Sequence, residues 1–424
     1  MGETVAGAST ATAALQRRTV QTLVGAQAFG AVGITIGVAT ASLLASDLAN
    51  SETLAGTAQT AQVLGAGGAS WLLARVMASH GRRIGLVLGY LLGAAGSALA
   101  VLAGVVESMP LLLLGATLLG ATSSANYASR YAATDLAPAA EQGRALAIVV
   151  WSTTIGAVAG PNLTGPAADL AAAWGIPELT GPFALGAFGM LIAALVLFVR
   201  LRPDPLLAAR RLHAAAVQDG TATASSAQPI REILRERPIL VAAMTGLAAA
   251  HAVMISVMVM TPLHMRHGHA GLKVIGIVIS LHVLGMFAFA PLFGSAVDRF
   301  GAPVVLALGG AVLLGSLLFC ALSPEGSSEA IFVGLFLLGL GWSMATVAAS
   351  TLVAQQAPIA SLTVVQGTAD LVMSLAAAVG GAASGVIVGV FSFSTLAAFA
   401  SIFAVVGLVA ALWSARLVRV SPAL

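Results

Sequence analysis

Mostly apolar stretches recur along the chain, divided by short polar breaks. They fall at roughly 20–44, 54–77, 84–106, 110–133, 145–168, 182–201, 239–262, 272–296, 304–323, 329–352, 362–391 and 394–416, each near the ~20 helical residues that cross a bilayer core. Barrel strands would be about ten residues long with strict alternation, and these windows have neither property. The pattern predicts an all-α membrane protein with twelve transmembrane helices in two pseudo-symmetric six-helix bundles.

Polar segments divide the chain further. Residues 1–19 read as a cytoplasmic N-terminal tail ending in Arg17 and Arg18. No short apolar core with a cleavage site follows, so the first apolar stretch reads as a retained helix rather than a signal peptide. Residues 20–201 form the first bundle. Residues 202–238 hold Arg210, Arg211, Arg231, Arg235, Arg237 and the run Thr221-Ala-Thr-Ala-Ser-Ser226. This is the composition of a flexible cytoplasmic linker. Residues 239–416 form the second bundle and 417–424 a short tail. With both termini inside, every Lys and Arg except Arg266 and Lys273 falls on or near the cytoplasmic side. That asymmetry sets the orientation in a bacterial-type inner membrane.

Composition agrees with the pattern. Of 424 residues, 58% are hydrophobic and 8% charged, against about 25% charged in soluble domains. The 47 glycines allow close helix packing in lipid. The pI near 9.6 does not indicate nucleic acid, because the basic residues sit at segment ends. The one cysteine, Cys320, excludes an intramolecular disulfide. No Gly-x-x-x-x-Gly-Lys loop is present, and no nucleophile–His–acid pattern stands out. The chain therefore reads as a non-enzyme without a permanently bound cofactor.

Two loops at equivalent places in the halves look alike. One runs from Gly294 through Asp298 and Arg299 to Gly301; the other runs from Ala74 through Ala78 to Gly81, Arg82 and Arg83. Both resemble the Gly-x-x-x-Asp-Arg-x-Gly-Arg-Arg loop of the major facilitator superfamily. The N-terminal copy has Ala78 where the acid belongs. The resemblance implies a secondary transporter with alternating access, a latch at these two loops, and a substrate site near the midplane. It also implies a monomer whose partners are the lipid bilayer and its substrate.

Residues 244–286 hold six of the 12 methionines and five of the seven histidines. Met254 and Met258 are i and i+4 on the seventh helix, and His251 extends that face by one turn. His282 and Met286 are i and i+4 on the eighth. At about 1.5 Å per residue, Met258, Met254, His282 and Met286 lie roughly 6, 12, 15 and 21 Å below the outer boundary, and they form a descending ladder if the two helices turn these faces to the same cavity, as is expected here. Thioether and imidazole together suit soft metals, above all Cu(I). His264, His267 and His269 form an outer-loop group suited to metal capture. Methionine also fills gaps in apolar cores, so packing is the other reading of these residues. The spacing of Met254-x-x-x-Met258 and His282-x-x-x-Met286 resembles the CcoA-like family of copper importers. That likeness implies copper as transported substrate, with Met254, Met258, His282 and Met286 as ligands. The family also implicates cysteines, and Cys320 is the only one here. A branch of the same family carries riboflavin.

A third motif points elsewhere. Gly156, Gly160 and Pro161 on the fifth helix resemble the antiporter motif of drug–proton exporters, which implies efflux of an organic molecule. Small-residue packing is the simpler alternative. Asp370, about nine residues into the eleventh helix, needs a partner or a raised pKa, and it is the candidate for proton coupling. Arg130 and Asp135 lie near the inner end of the fourth helix. Gln27, Asn126 and Gln366 are candidates for lining the cavity. A receptor that transports nothing would need neither the repeated loop nor the buried acid.

Overall fold

A computed structural model describes residues 2–50, 54–326 and 329–420. Among them there are helices and no strands. The long helices are α1 (Gly2–Ala49), α2 (Ala55–His80), α3 (Arg82–Val105), α4 (Met109–Ala132), α5 (Gln142–Ala173) and α6 (Gly181–Arg200). Two short ones follow, α7 (Pro205–Gln218) and α8 (Ile230–Glu236). Then come α9 (Pro238–His267), α10 (Leu272–Phe287), α11 (Ala290–Phe300), α12 (Ala302–Ala321), α13 (Glu329–Gln356), α14 (Leu362–Val390) and α15 (Phe393–Val420). With α10 and α11 as two pieces of the eighth span, and α7 and α8 set aside, these make the twelve expected spans.

Three local features differ from the sequence reading. The eighth span is broken at Ala288 and Phe289. Pro291 has no N–H for the Phe287 carbonyl, and its ring would strike that carbonyl in a continuous helix. The segment 202–238 is helical at both ends instead of irregular throughout. Asp204 caps α7 by accepting from the N–H groups of Leu206 and Leu207 at 3.0 and 3.2 Å, and Pro205 fits the first helical position. The polar stretch expected to be a tail is, from Gly2 on, part of α1.

Ten helices are long and apolar enough to cross a membrane by length and composition among the described residues. The spans missing from that group, α2 and α4, carry more polar residues, some of them buried between the two helices. Ser70 donates to Ser124 across the pair at 3.0 Å.

The chain forms two compact units that do not follow the sequence halves. The first comprises Met1–Pro138, Ser152–Gln228 and Pro358–Leu371; the second comprises Ala139–Trp151, Pro229–Ala357 and Val372–Leu424. Each unit thus takes in the start of one helix from the other half. In the first, a Cβ on Gly367 of α14 would press on Ala74 of α2. In the second, a Cβ on Gly294 of α11 would press on Gly143 and Ala147 of α5.

These contacts are copies of one another. Adding 220 to a position in the first half gives its counterpart in the second. Gly81 and Gly301 both sit at φ +87°, a conformation natural to glycine alone. The short 3₁₀ turns Ala139–Glu141 and Ile359–Ser361 obey the same offset, as do the first residues of α3 and α12 and of α4 and α13.

Candidate functional site

In the second unit, α13 organises the Met/His group. His282 is fully buried, and its Nδ1 lies 2.9 Å from the Leu335 carbonyl. A carbonyl can only accept, so Nδ1 carries the hydrogen and Nε2 keeps its lone pair. Nε2 is buried with no partner. Gly339, one turn after Leu335, lets α10 approach, since a Cβ there would press on the His282 carbonyl and the Met286 nitrogen. Met286 is buried beside it.

His251 is held differently. Trp342 Nε1 donates to its Nδ1 at 2.8 Å, so that nitrogen's lone pair is occupied. The Trp342 ring also meets Phe287 edge-on at 5.7 Å. Met254 is buried and Met258 half-buried on the helix face that carries His251. Pro262, inside α9, deprives the Met258 carbonyl of its usual i+4 donor.

The two motifs therefore do not face each other across an open cavity. Helices α9 and α10 touch only slightly, and each packs mainly on other helices, α13 among them. His251 addresses α13 from one helix and His282 from the other. This revises the expectation of a ladder on facing surfaces of the seventh and eighth helices. It also removes Nδ1 of His251 from the available donors.

The outer-loop histidines are not gathered either. His264 is buried, stacked on Phe393 with ring centroids 4.2 Å apart, with Nε2 3.3 Å from Ser323 Oγ. His267 and His269 are exposed. Among the described residues, no three His, Cys, Asp or Glu side chains converge as a metal group. Cys320 is buried in α12, close to Gly334.

The first unit holds the buried charges. Asp370 of α14 pairs with Arg130 of α4, Nη2 to Oδ1, at 2.5 Å. The guanidinium also lies over the rings of Tyr127 and Tyr131, at 5.3 and 4.9 Å. This is the partner that a carboxylate at Asp370 requires. Beside it, wholly buried Arg82 donates from Nε and Nη2 to Asp135 at 2.8 and 2.9 Å, and from Nη2 to Gln366 Oε1 at 2.6 Å. Asp135 lies in the loop after α4. Burial raises its carboxyl from the ordinary value, with the Arg82 guanidinium opposing that shift.

The other predicted positions divide between sites. Gln27 donates to Thr153 at 3.3 Å and accepts from the Tyr90 hydroxyl at 3.2 Å. Asn126 is half-buried on α4. Gly156 gives α5 its close approach to Ala31 and Val32 of α1. Gly160 is buried, and the Pro161 side chain lies outside the described residues.

The two loop copies use different acids. Asp298 accepts from the N–H groups of Gly143 and Arg144, both at 2.8 Å. Ala78 cannot do this at the other copy. There Asp204, from the start of α7, accepts from Arg83 N–H at 2.7 Å, and Arg210 donates to the Ala78 carbonyl at 2.6 Å. Arg299 lies over Phe300.

Sequence reasoning missed Trp342, the Leu335 carbonyl and Asp204. Only Asp204 left a local signal, an Asp-Pro pair that marks a helix start.

Comparison with known proteins completes the picture. The family description Major Facilitator Superfamily matches residues 22–276 and 252–423. The chain is 34% identical, over 94% of its length and 92% of the relative's, to YdeG of Bacillus subtilis, named an uncharacterized MFS-type transporter. It is 29% identical, over 84% of its length and 85% of the relative's, to the riboflavin transporter RfnT of Brucella anthropi. Among solved structures it is similar to the proton:xylose symporter XylE (TM-score 0.73, 15% identity, 96% of each chain). It is also similar to the human organic anion transporter MFSD10 (TM-score 0.67, 15% identity, 94% of this chain and 99% of that one). At that identity the structural likeness concerns the fold alone. With its twelve spans, its repeated loops and a family match along nearly its whole length, the chain belongs to the Major Facilitator Superfamily of membrane transporters.

Proposed function

We propose that this transporter imports copper, as Cu(I), using His282 and Met286 with Met254 and Met258. The supporting observation is the His282 ring. Its Nδ1–H is pinned to a carbonyl, the usual way a protein aims the other imidazole nitrogen at a metal. Its Nε2 lone pair is buried without a partner, which is costly unless something occupies it in another state of the cycle. One helical turn away is a thioether, and α9, packed on the same helix α13, carries two more. The set has no carboxylate, which favours a soft ion.

The energy would come from a proton gradient through Asp370. A proton on that carboxylate cancels its charge and releases Arg130, so protonation and the start of α14 would move together. The protein would act as a monomer in a bacterial-type inner membrane, with both termini in the cytoplasm.

The test is copper accumulation by cells with and without the protein. His282→Asn keeps a polar group of similar size and loses the lone-pair nitrogen. Accumulation is expected to fall at least tenfold with membrane abundance unchanged. Parental uptake by this variant would remove copper from the assignment.

A second reading is proton-coupled transport of an organic molecule, either riboflavin-like uptake or efflux. It is favoured by the likeness to RfnT over most of the chain. Under it, labelled riboflavin accumulates instead of copper, and Met254→Leu/Met258→Leu has little effect.

A further inference from the structure

Three side chains on α13 have no place in either site above. Ser343, Thr346 and Ser350 are 0%, 1% and 0% exposed. Each hydroxyl oxygen is buried without a hydrogen-bond partner. At i, i+3 and i+7 they lie along one helix face, over roughly 10 Å of axis. This is not the general habit of hydroxyls in this protein. Thr351, the next residue on the same helix, donates to the Val347 carbonyl at 2.8 Å, and Ser129 and Thr261 likewise bond the carbonyl four residues back.

The face is shared with the metal-type residues. Leu335 and Gly339, which receive His282 and Met286, lie on it two turns and one turn before Ser343. The hydroxyls therefore continue the line away from His282, towards the Gln356 end of the helix.

The internal repeat gives an independent reason to read these positions together. By the 220-residue offset their counterparts on α4 are Ser123, Asn126 and Arg130. The first half thus has polar groups at the same three places, and one of them holds Asp370. An accidental hydroxyl would not be matched at all three positions.

We infer that Ser343, Thr346 and Ser350 form a hydroxyl track that takes up water in another state of the transport cycle and lines the path by which the cargo leaves the His282–Met286 level for the cytoplasm. A bare ion leaving thioether and imidazole must be rehydrated, and an organic cargo must exchange its hydrogen bonds. Three unsatisfied hydroxyls in series serve both. They would be covered in the state described and wetted in another.

The test has two arms. In a Cys320→Ala background shown to keep parental transport, Ser343→Cys, Thr346→Cys and Ser350→Cys are exposed to a small, permanently charged methanethiosulfonate in inside-out vesicles. Ala345→Cys is the control, since Ala345 faces Gly309 of α12. The three track positions are expected to react at least tenfold faster than the control. Reaction no faster than the control, under conditions where the protein cycles, overturns the proposal. This arm reads accessibility rather than copper uptake, and either candidate cargo can serve to show that the protein cycles, so it stands or falls separately from copper.

In the second arm, Ser343→Ala/Thr346→Val/Ser350→Ala removes the hydroxyls and keeps the packing. Because the lost groups are unpaired, thermal stability in detergent should hold or rise. Uptake, read with copper and with riboflavin, should fall at least tenfold for whichever is carried. Parental uptake by a stable triple variant overturns the proposal, as does a triple variant that unfolds, because the hydroxyls would then be structural.

Discussion

The two buried histidines show how one hydrogen bond decides the chemistry of a residue. His282 faces a carbonyl and keeps its Nε2 lone pair. His251 faces an indole N–H and gives its Nδ1 lone pair away. Trp342→Phe removes that donor and leaves most of the ring packing. It should cost about 1–2 kcal/mol, a buried hydrogen bond with one partner left unsatisfied, read as a drop in melting temperature. If His251 only supports the fold, copper uptake per folded molecule is unchanged. The Arg130–Asp370 pair makes a different prediction. Asp370→Asn leaves a buried guanidinium without its counter-charge, and breaking such pairs costs about 3–5 kcal/mol. Accumulation against a gradient should be lost while exchange down a gradient persists. Arg130→Met/Asp370→Leu should recover stability without recovering coupling. Recovery of both would remove the pair from the mechanism.

At the scale of elements, the apolar windows and the loop residues between them were legible, because lipid imposes one length and one charge bias on every span. The partners were not. Leu335 is 53 residues from His282, and Trp342 is 91 from His251, so no local pattern joins them. The sequence reading paired Met254 with Met258 and His282 with Met286 on shared helix faces and supposed that those faces met. It had no means of seeing α13 between the spans it named. The α10–α11 break was marked by Pro291, whose effect on the Phe287 carbonyl is local, and hydropathy averaging hid it. Gly339 is the corresponding packing test. Gly339→Ala puts a methyl against the His282 carbonyl and the Met286 nitrogen. Backbone there cannot yield as a flexible side chain would, so α10 must move. A loss of about 1–3 kcal/mol is expected, together with loss of cargo binding. Unchanged uptake would show that the spacing of α10 and α13 does not matter to the site.

For the whole molecule, the repeat makes the differences between the halves informative. Asp298 accepts two N–H groups at the start of α5. By the 220-residue offset, the same carboxylate at position 78 would meet the N–H groups of Thr363 and Val364, at the start of α14. Ala78 leaves them without it, and a cavity of about 560 Å³ lies there, lined by Ala78, Arg210, Ser361 and Val364 among others. There is room for an acid, a helix start to receive it, and a cation beside it. Ala78→Asp should therefore stabilise the state described by about 1 kcal/mol, the usual size of a helix cap. Asp298→Ala should destabilise it by about as much. Because that state must be left in every cycle, the two substitutions should move transport in opposite directions from stability. Ala78→Asp should raise the melting temperature by a few degrees at most and lower the maximal uptake rate. If Ala78→Asp stabilises the protein and transport is unaffected, the latch is structural only. If it destabilises, the offset does not carry the Asp298 geometry to the first half.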